Sequence, residues 1–183
     1  MKPCIPAVVI ALLASSSAFA APLDSAHPLA LVLNASVQKE LAMKPEQVKA
    51  VESLLASAMD DATTKEATAT VAKTLDKDQL ERLKQISYQA RGGVALTDPE
   101  VRMKVGLSRT QARKLAALAK DRELDLTMVL QVTRFKNAEA KRKFLLDWRK
   151  GAAKDMLAEL DDEQKKAFEV IQGKKFDTTS IVK

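Results

Sequence analysis

The sequence predicts an all-α protein made of capped helical hairpins, with one long helix in its C-terminal half. Apolar residues make up 46% of the chain and aromatic residues only 4%, a composition that suits close-packed helices better than a sheet sandwich. The stretch 107–160 has no proline and a single glycine, Gly151. We therefore expect one long helix there, or two helices that meet at a bend near Gly151.

A four-fold repeat marks where helices begin. In segments 43–47, 75–79, 107–111 and 160–164, an apolar residue precedes a glutamine by four positions, and further apolar residues follow it at four and seven positions. This spacing describes one face of a helix. In three copies, an acid or hydroxyl stands at the N-cap and the glutamine can reach back to it, which predicts capping boxes. The capping pairs are Asp76 with Gln79, Ser108 with Gln111, and Asp161 with Gln164.

Periodicity and breaker residues place the other elements. Helices are predicted over about 29–42, 45–60, 64–74, 77–91 and 162–172. Gly92-Gly93 should break the chain, and a short helix should run from Asp98-Pro99 to Gly106. Gly173 should end the last helix, with Phe176 folding back onto it and residues 178–183 frayed.

The N-terminus has the features of a secretory signal peptide. Lys2 precedes an apolar stretch over 5–13, and Ala18-Phe19-Ala20 offers a cleavage site, so we expect residues 1–20 to be removed. Cleavage leaves a single helical domain over 21–173 and a tail over 174–183, in the periplasm or secreted. It also removes Cys4, the only cysteine, so no disulfide or thiolate site is expected. The remaining 29 basic and 24 acidic residues give a net charge of +5.

The repeated Leu-x-x-x-Gln units, together with a signal peptide and a cysteine-free mature chain, resemble the LTxxQ-motif periplasmic proteins of the Spy and CpxP type. The resemblance is closest at Leu107 to Gln111 and Leu160 to Gln164. It implies a thin, curved arrangement of helical hairpins in a cradle-shaped homodimer. It also implies ATP-independent chaperone activity or modulation of the envelope stress response. This chain has four copies where that family shows two, and none has Thr directly after Leu. Its layout is also similar to that of exported helical proteins of unknown role that share such repeats.

Catalytic and metal-binding residue types are scarce. His27 is the only histidine, so a Ser-His nucleophile and a Glu-x-x-His metal pair are both excluded from the rest of the chain. No Gly-rich phosphate loop or nucleophile elbow is present. We expect no enzyme activity and no cofactor.

A basic stretch between residues 134 and 154 carries eight Lys or Arg residues against two acids. Lys136, Lys143 and Lys150 recur every seven residues and should form one helical stripe next to aromatic and aliphatic groups. One interpretation is a solvated basic face. The other is a binding surface for acidic unfolded clients or anionic headgroups. Its candidate residues are Arg134, Phe135, Lys136, Arg142, Lys143, Trp148, Arg149 and Lys150.

These observations favour an exported, non-enzymatic protein that binds unfolded or envelope proteins, as a chaperone or an envelope-stress modulator. Two alternatives remain open. One is a structural module that forms a homodimer through its long helix, and the other is a peripheral binder of anionic membrane surface. Nucleic acid is not an expected partner, because export separates the protein from it.

Overall fold

The computed structural model describes residues 28–57 and 69–181, and all regular secondary structure in these two ranges is helical. The prediction of an all-α fold is confirmed. The predicted signal peptide, residues 1–20, lies outside the described residues. The helices are α1 (Pro28–Val32), α2 (Ala35–Glu40), α3 (Pro45–Ser57), α4 (69–74), α5 (Lys77–Arg91), α6 (Pro99–Val105), α7 (Arg109–Val132), α8 (Ala138–Leu157) and α9 (Asp162–Gln172). Two 3-10 helices cover Gly92–Thr97 and Thr178–Ser180.

The repeated units do begin helices. Asp76, Ser108 and Asp161 each accept a hydrogen bond from the backbone N–H of the glutamine three residues on, whose side chain reaches back to the cap. The first copy does half of this, since the Lys44 N–H donates to Gln47 Oε1 at 2.9 Å. The apolar residues four positions after each glutamine are at most 3% exposed: Val51, Leu83, Leu115 and Phe168.

The four glutamines also meet in two pairs. Gln47 and Gln79 donate to each other's Oε1 at 2.8 and 3.2 Å, and Gln111 and Gln164 do the same at 2.8 and 3.1 Å. Each Nε2 also donates to a backbone carbonyl just before the partner's helix, on Thr74, Leu41, Glu159 and Gly106 in turn. The pairs therefore join the start of α3 to that of α5, and the start of α7 to that of α9.

The prediction of one long helix over 107–160 is wrong. The chain forms α7 and α8 instead, separated by residues 133–137, and the break lies well before Gly151, which sits inside α8. Asn137 causes the restart, because its side chain accepts a hydrogen bond from the Ala140 N–H at 2.8 Å. The helix expected over 29–42 is also divided. Asn34 caps α2 by accepting from the Ser36 N–H at 3.0 Å.

Most of the buried apolar residues of the described ranges belong to two clusters. The first gathers residues of α1 to α5, and the second gathers residues of α5 to α9 and the Gly92–Thr97 turn. Helix α5 belongs to both, because Leu83 and Ile86 lie in the first cluster and Tyr88 in the second. Gly93 lets α8 approach this turn, since a Cβ there would lie 2.8 Å from that of Met156. Gly106 ends α6 as predicted, at φ 72°.

The C-terminal segment departs from the predicted frayed tail. Ile181 is only 7% exposed and lies in the first cluster, with Phe176 packed against the same cluster rather than on α9. Gln89 accepts a hydrogen bond from the Phe176 N–H at 2.7 Å and donates to the Lys174 carbonyl at 2.8 Å. Residues 174–181 thus lead from α9 back to α5 and the first cluster.

Candidate binding surface

Helices α7 and α8 form a hairpin whose base is held by two ion pairs. Arg122 contacts Asp155, and Lys114 Nζ lies 2.6 Å from a Glu159 carboxylate oxygen. At the other end, the rings of Phe135 and Phe144 pack with their centroids 5.4 Å apart. Contacts along its length and at its turn therefore hold the two helices of the hairpin together.

The predicted basic stripe is only partly formed. Arg134 and Lys136 are exposed in the turn between the two helices, so Lys136 is not on the helix with Lys143 and Lys150. The two remaining lysines are exposed on one face of α8, and Lys154 continues that face by one turn. The seven-residue spacing identified the face of α8, but it included one residue that precedes the helix.

Four other predicted residues contribute to the fold itself. Arg142 Nη2 donates to the Thr179 carbonyl at 2.7 Å, although the side chain is mostly exposed. Phe135, Trp148 and Arg149 are half-buried. Burial lowers the pKa of the Arg149 guanidinium, which still carries its charge at neutral pH. Of these four residues, only Arg142 has a mostly exposed side chain.

The structure adds an apolar surface that the sequence analysis missed. Leu124, Met128 and Val132 are 53%, 64% and 81% exposed, and their four-residue spacing places them in one line along α7, called here the α7 stripe. The signal was present in this spacing. Spacing alone does not show whether such a line of residues is buried or exposed.

A shallow groove of about 530 Å³ lies along α8 and the start of α9. Its lining consists of three apolar residues, called here its floor, and three lysines, and we call it the lysine groove. It is lined by Lys150, Ala153, Lys154, Leu157, Ala158 and Lys165. The first four lie on one face of α8, at spacings of three and four residues, and Ala158 is the C-cap residue of that helix. Only Lys150 of this set was among the predicted binding residues.

Within the described ranges, no helix has the length and apolar character needed to cross a bilayer. The same residues include no cluster of three or more His, Cys, Asp or Glu side chains placed to hold a metal ion.

No family model, no curated protein and no solved structure matches this chain. The similarity to LTxxQ-motif proteins therefore stays a prediction from the repeated units.

Proposed function

We propose that this chain is an exported, non-enzymatic protein that binds other proteins and holds unfolded clients on the α7 stripe. One observation carries the proposal. Of the five large apolar side chains that are exposed among the described residues, three lie in a single line on α7. Scattered single apolar residues are ordinary on a protein surface, whereas a contiguous line of them is typical of a binding site.

The chemistry of the stripe suits varied clients. Its three side chains extend over about 12 Å of helix, enough to cover a few residues of an extended client. Met128 has an unbranched, polarisable side chain that adapts to different shapes. Arg134 and Lys136 follow directly in the turn, and they would attract acidic clients over a longer range. The small apolar area favours weak, reversible binding that needs no ATP.

Aggregation of a reduced client, such as α-lactalbumin, tests this proposal. Purified protein without ATP should suppress the light scattering at a few-fold molar excess. The variant L124Q/M128Q/V132Q should lose most of the suppression, because glutamine keeps the helix but removes the apolar contact. The variant M103Q/V170Q, which changes the two exposed large apolar residues outside the stripe, should retain it.

Two outcomes would contradict client binding. The first is full suppression by the stripe variant. The second is a native chain that sediments as a dimer, does not suppress aggregation, and becomes a monomer in the stripe variant. That result would establish the stripe as a homodimer contact and favour the structural alternative.

Export is the other part of the proposal, and it is supported by the features of residues 1–20. Protein recovered from the cell envelope should have the mass of a chain that begins at Ala21. A chain of full length in that fraction would argue against cleavage.

A further inference from the structure

The lysine groove combines charge and apolar surface in an arrangement separate from the α7 stripe. Lys150 and Lys154 lie one turn apart on α8, and Lys165 faces them from the first turn of α9. The floor between them consists of Ala153, Leu157 and Ala158. It therefore presents aliphatic side chains without a polar group of their own, with positive charge at its edges.

The charge of the groove is largely uncompensated. Within the described residues, neither Lys150 nor Lys154 has a carboxylate at ion-pair distance. Lys165 has only a long contact, 3.4 Å, to Asp162, whose side chain is 91% exposed. Of the acids nearest in sequence, Asp155 contacts Arg122 and Glu159 pairs with Lys114, while the exposed Asp147, three residues before Lys150, is in no ion pair within the described ranges. The amines are thus available to an anionic partner.

The floor is also rigid and closely approachable. Ala153 packs against Gly93 of the 3-10 turn so tightly that a Cβ on that glycine would lie 3.0 Å from the Ala153 backbone. Two of the three floor residues are alanines, which let another backbone come near. A fixed surface loses little conformational entropy when a partner docks.

The spacing of the charges selects the occupant. From Lys150 to Ala158 the groove covers about 12 Å of α8, or two helical turns. A helix laid along it can place acids one turn apart against Lys150 and Lys154 and direct an apolar residue at Leu157. A single fatty carboxylate would engage one or two of the three amines. We infer that the lysine groove docks an acidic amphipathic helix of a partner protein. This goes beyond the holding of unfolded clients.

A labelled peptide provides the test. The probe is a fluorescein-labelled 15-residue amphipathic helix with Glu at four-residue spacing beside a Leu face, measured by fluorescence anisotropy with the full mature chain. The variant K150Q/K154Q/K165Q should weaken binding about tenfold, because three exposed ion pairs are lost. The matched control K49Q/K73Q/K77Q removes three exposed lysines elsewhere and should change binding less than twofold.

A second variant separates contact from charge. Ala158 is exposed, so A158Y fills the floor without altering any charge and should weaken binding by a similar factor. Far-UV circular dichroism of each variant should match that of the parent. A peptide of the same composition with its Glu residues scrambled around the helix should bind at least fivefold more weakly.

Three results would overturn the inference. Binding that survives both the triple change and A158Y would place the peptide elsewhere. If dodecanoate, below its critical micelle concentration, displaces the peptide at equal concentration, the groove is a site for a monoacyl anion. Self-association in sedimentation that the triple change abolishes would make a second copy the occupant. Client suppression is measured separately and depends on the α7 stripe, so either proposal can fail without the other.

Discussion

The two glutamine pairs use the full hydrogen-bonding capacity of a carboxamide. Gln164 Oε1 accepts from the Asp161 N–H at 3.2 Å and from Gln111 Nε2, while its Nε2 donates to Gln111 Oε1 and the Gly106 carbonyl. A side-chain amide has two acceptor sites and two donors, so all four are satisfied here. A glutamate in place of Gln164 would lose both hydrogen-bond donors, and a leucine would lose all four hydrogen bonds.

A double-mutant cycle on Gln111 and Gln164 should reveal this coupling. We expect Q111A and Q164A each to lower the free energy of unfolding by about 2 kcal/mol, because each removes the glutamine side chain's half of a capping box and leaves its partner's amide incompletely bonded. The double variant should cost about 1 kcal/mol less than the sum, as measured by urea unfolding. Q131A, at an exposed position of α7, is the control and should change stability by less than about 0.5 kcal/mol. Strict additivity would contradict the pairing.

The sequence revealed half of what these glutamines do. Their capping role follows from a spacing of three residues, which sequence shows directly. Their pairing does not, because Gln111 and Gln164 are 53 residues apart and nothing local records which helix starts meet. The identical arrangement at Gln47 and Gln79 indicates what to look for, since a repeat with four matching units can pair its glutamines two by two.

Helices α5 and α6 are joined by a charged contact. Glu100 on α6 accepts from Lys84 of α5 at 2.8 Å, and it lies 3.0 Å from Lys104 one turn further along α6. The pKa of the Glu100 carboxyl is lowered, most strongly by the hydrogen bond from Lys84 and next by the hydrogen bond from Lys104. The same contacts raise the pKa of both lysines.

The stability contributed by Glu100 should depend on pH. A lowered pKa in the folded state means that the contribution is complete above the ordinary glutamate pKa, and that it disappears as pH falls through the folded-state value. We expect E100Q to be less stable than the parent by at most about 1 kcal/mol at pH 7, because these groups are partly exposed. Urea unfolding should show that difference vanishing by pH 3. E169Q, at an exposed position of α9, should differ by less than about 0.5 kcal/mol throughout. A difference for E100Q that is unchanged at pH 3 would rule out this contact as its source.

The break between α7 and α8 shows why the sequence pattern did not predict where one helix ends and the next begins. Neither proline nor glycine interrupts 107–150, so the usual breaker residues were absent. The interruption comes instead from Asn137, which serves as an N-cap, and from the phenylalanine contact that fixes the turn. An asparagine in an otherwise helical stretch is a weak signal, because the same residue is tolerated within helices.

At the scale of the whole molecule, the C-terminal segment connects α9 and α8 with the first cluster. It leaves α9, hydrogen bonds to Gln89 of α5, and buries Ile181 in the first cluster. Arg142 of α8 holds it from a further direction through the Thr179 carbonyl. The segment therefore links the hairpin that carries the proposed binding surfaces to the N-terminal half.

Ending the chain after Lys175 should destabilise the entire fold. Loss of Phe176 and Ile181 removes two apolar side chains from the first cluster, so we expect the free energy of unfolding to fall by about 2–5 kcal/mol. K175A changes an exposed residue of the same segment and should have little effect. Thermal unfolding followed by circular dichroism distinguishes the two. A truncated protein as stable as its parent would show that the segment packs too weakly to matter.

Sequence could locate the basic face of α8 but not its apolar neighbours. The prediction counted charges, and the charge surplus between 134 and 154 is a local property of the chain. Exposure of Leu124, Met128 and Val132 depends on which side of α7 the rest of the molecule covers, and so does the lysine groove, which needs Lys165 from another helix. Both are tertiary properties.

The two glutamine pairs have one more consequence. An amide side chain neither gains nor loses a proton over the range in which proteins survive, and a neutral hydrogen bond is little screened by dissolved ions. The amide-to-amide hydrogen bonds at these two places should therefore change little with pH or with salt concentration. Conditions that weaken the ion pairs of this molecule would leave these contacts between helix starts intact.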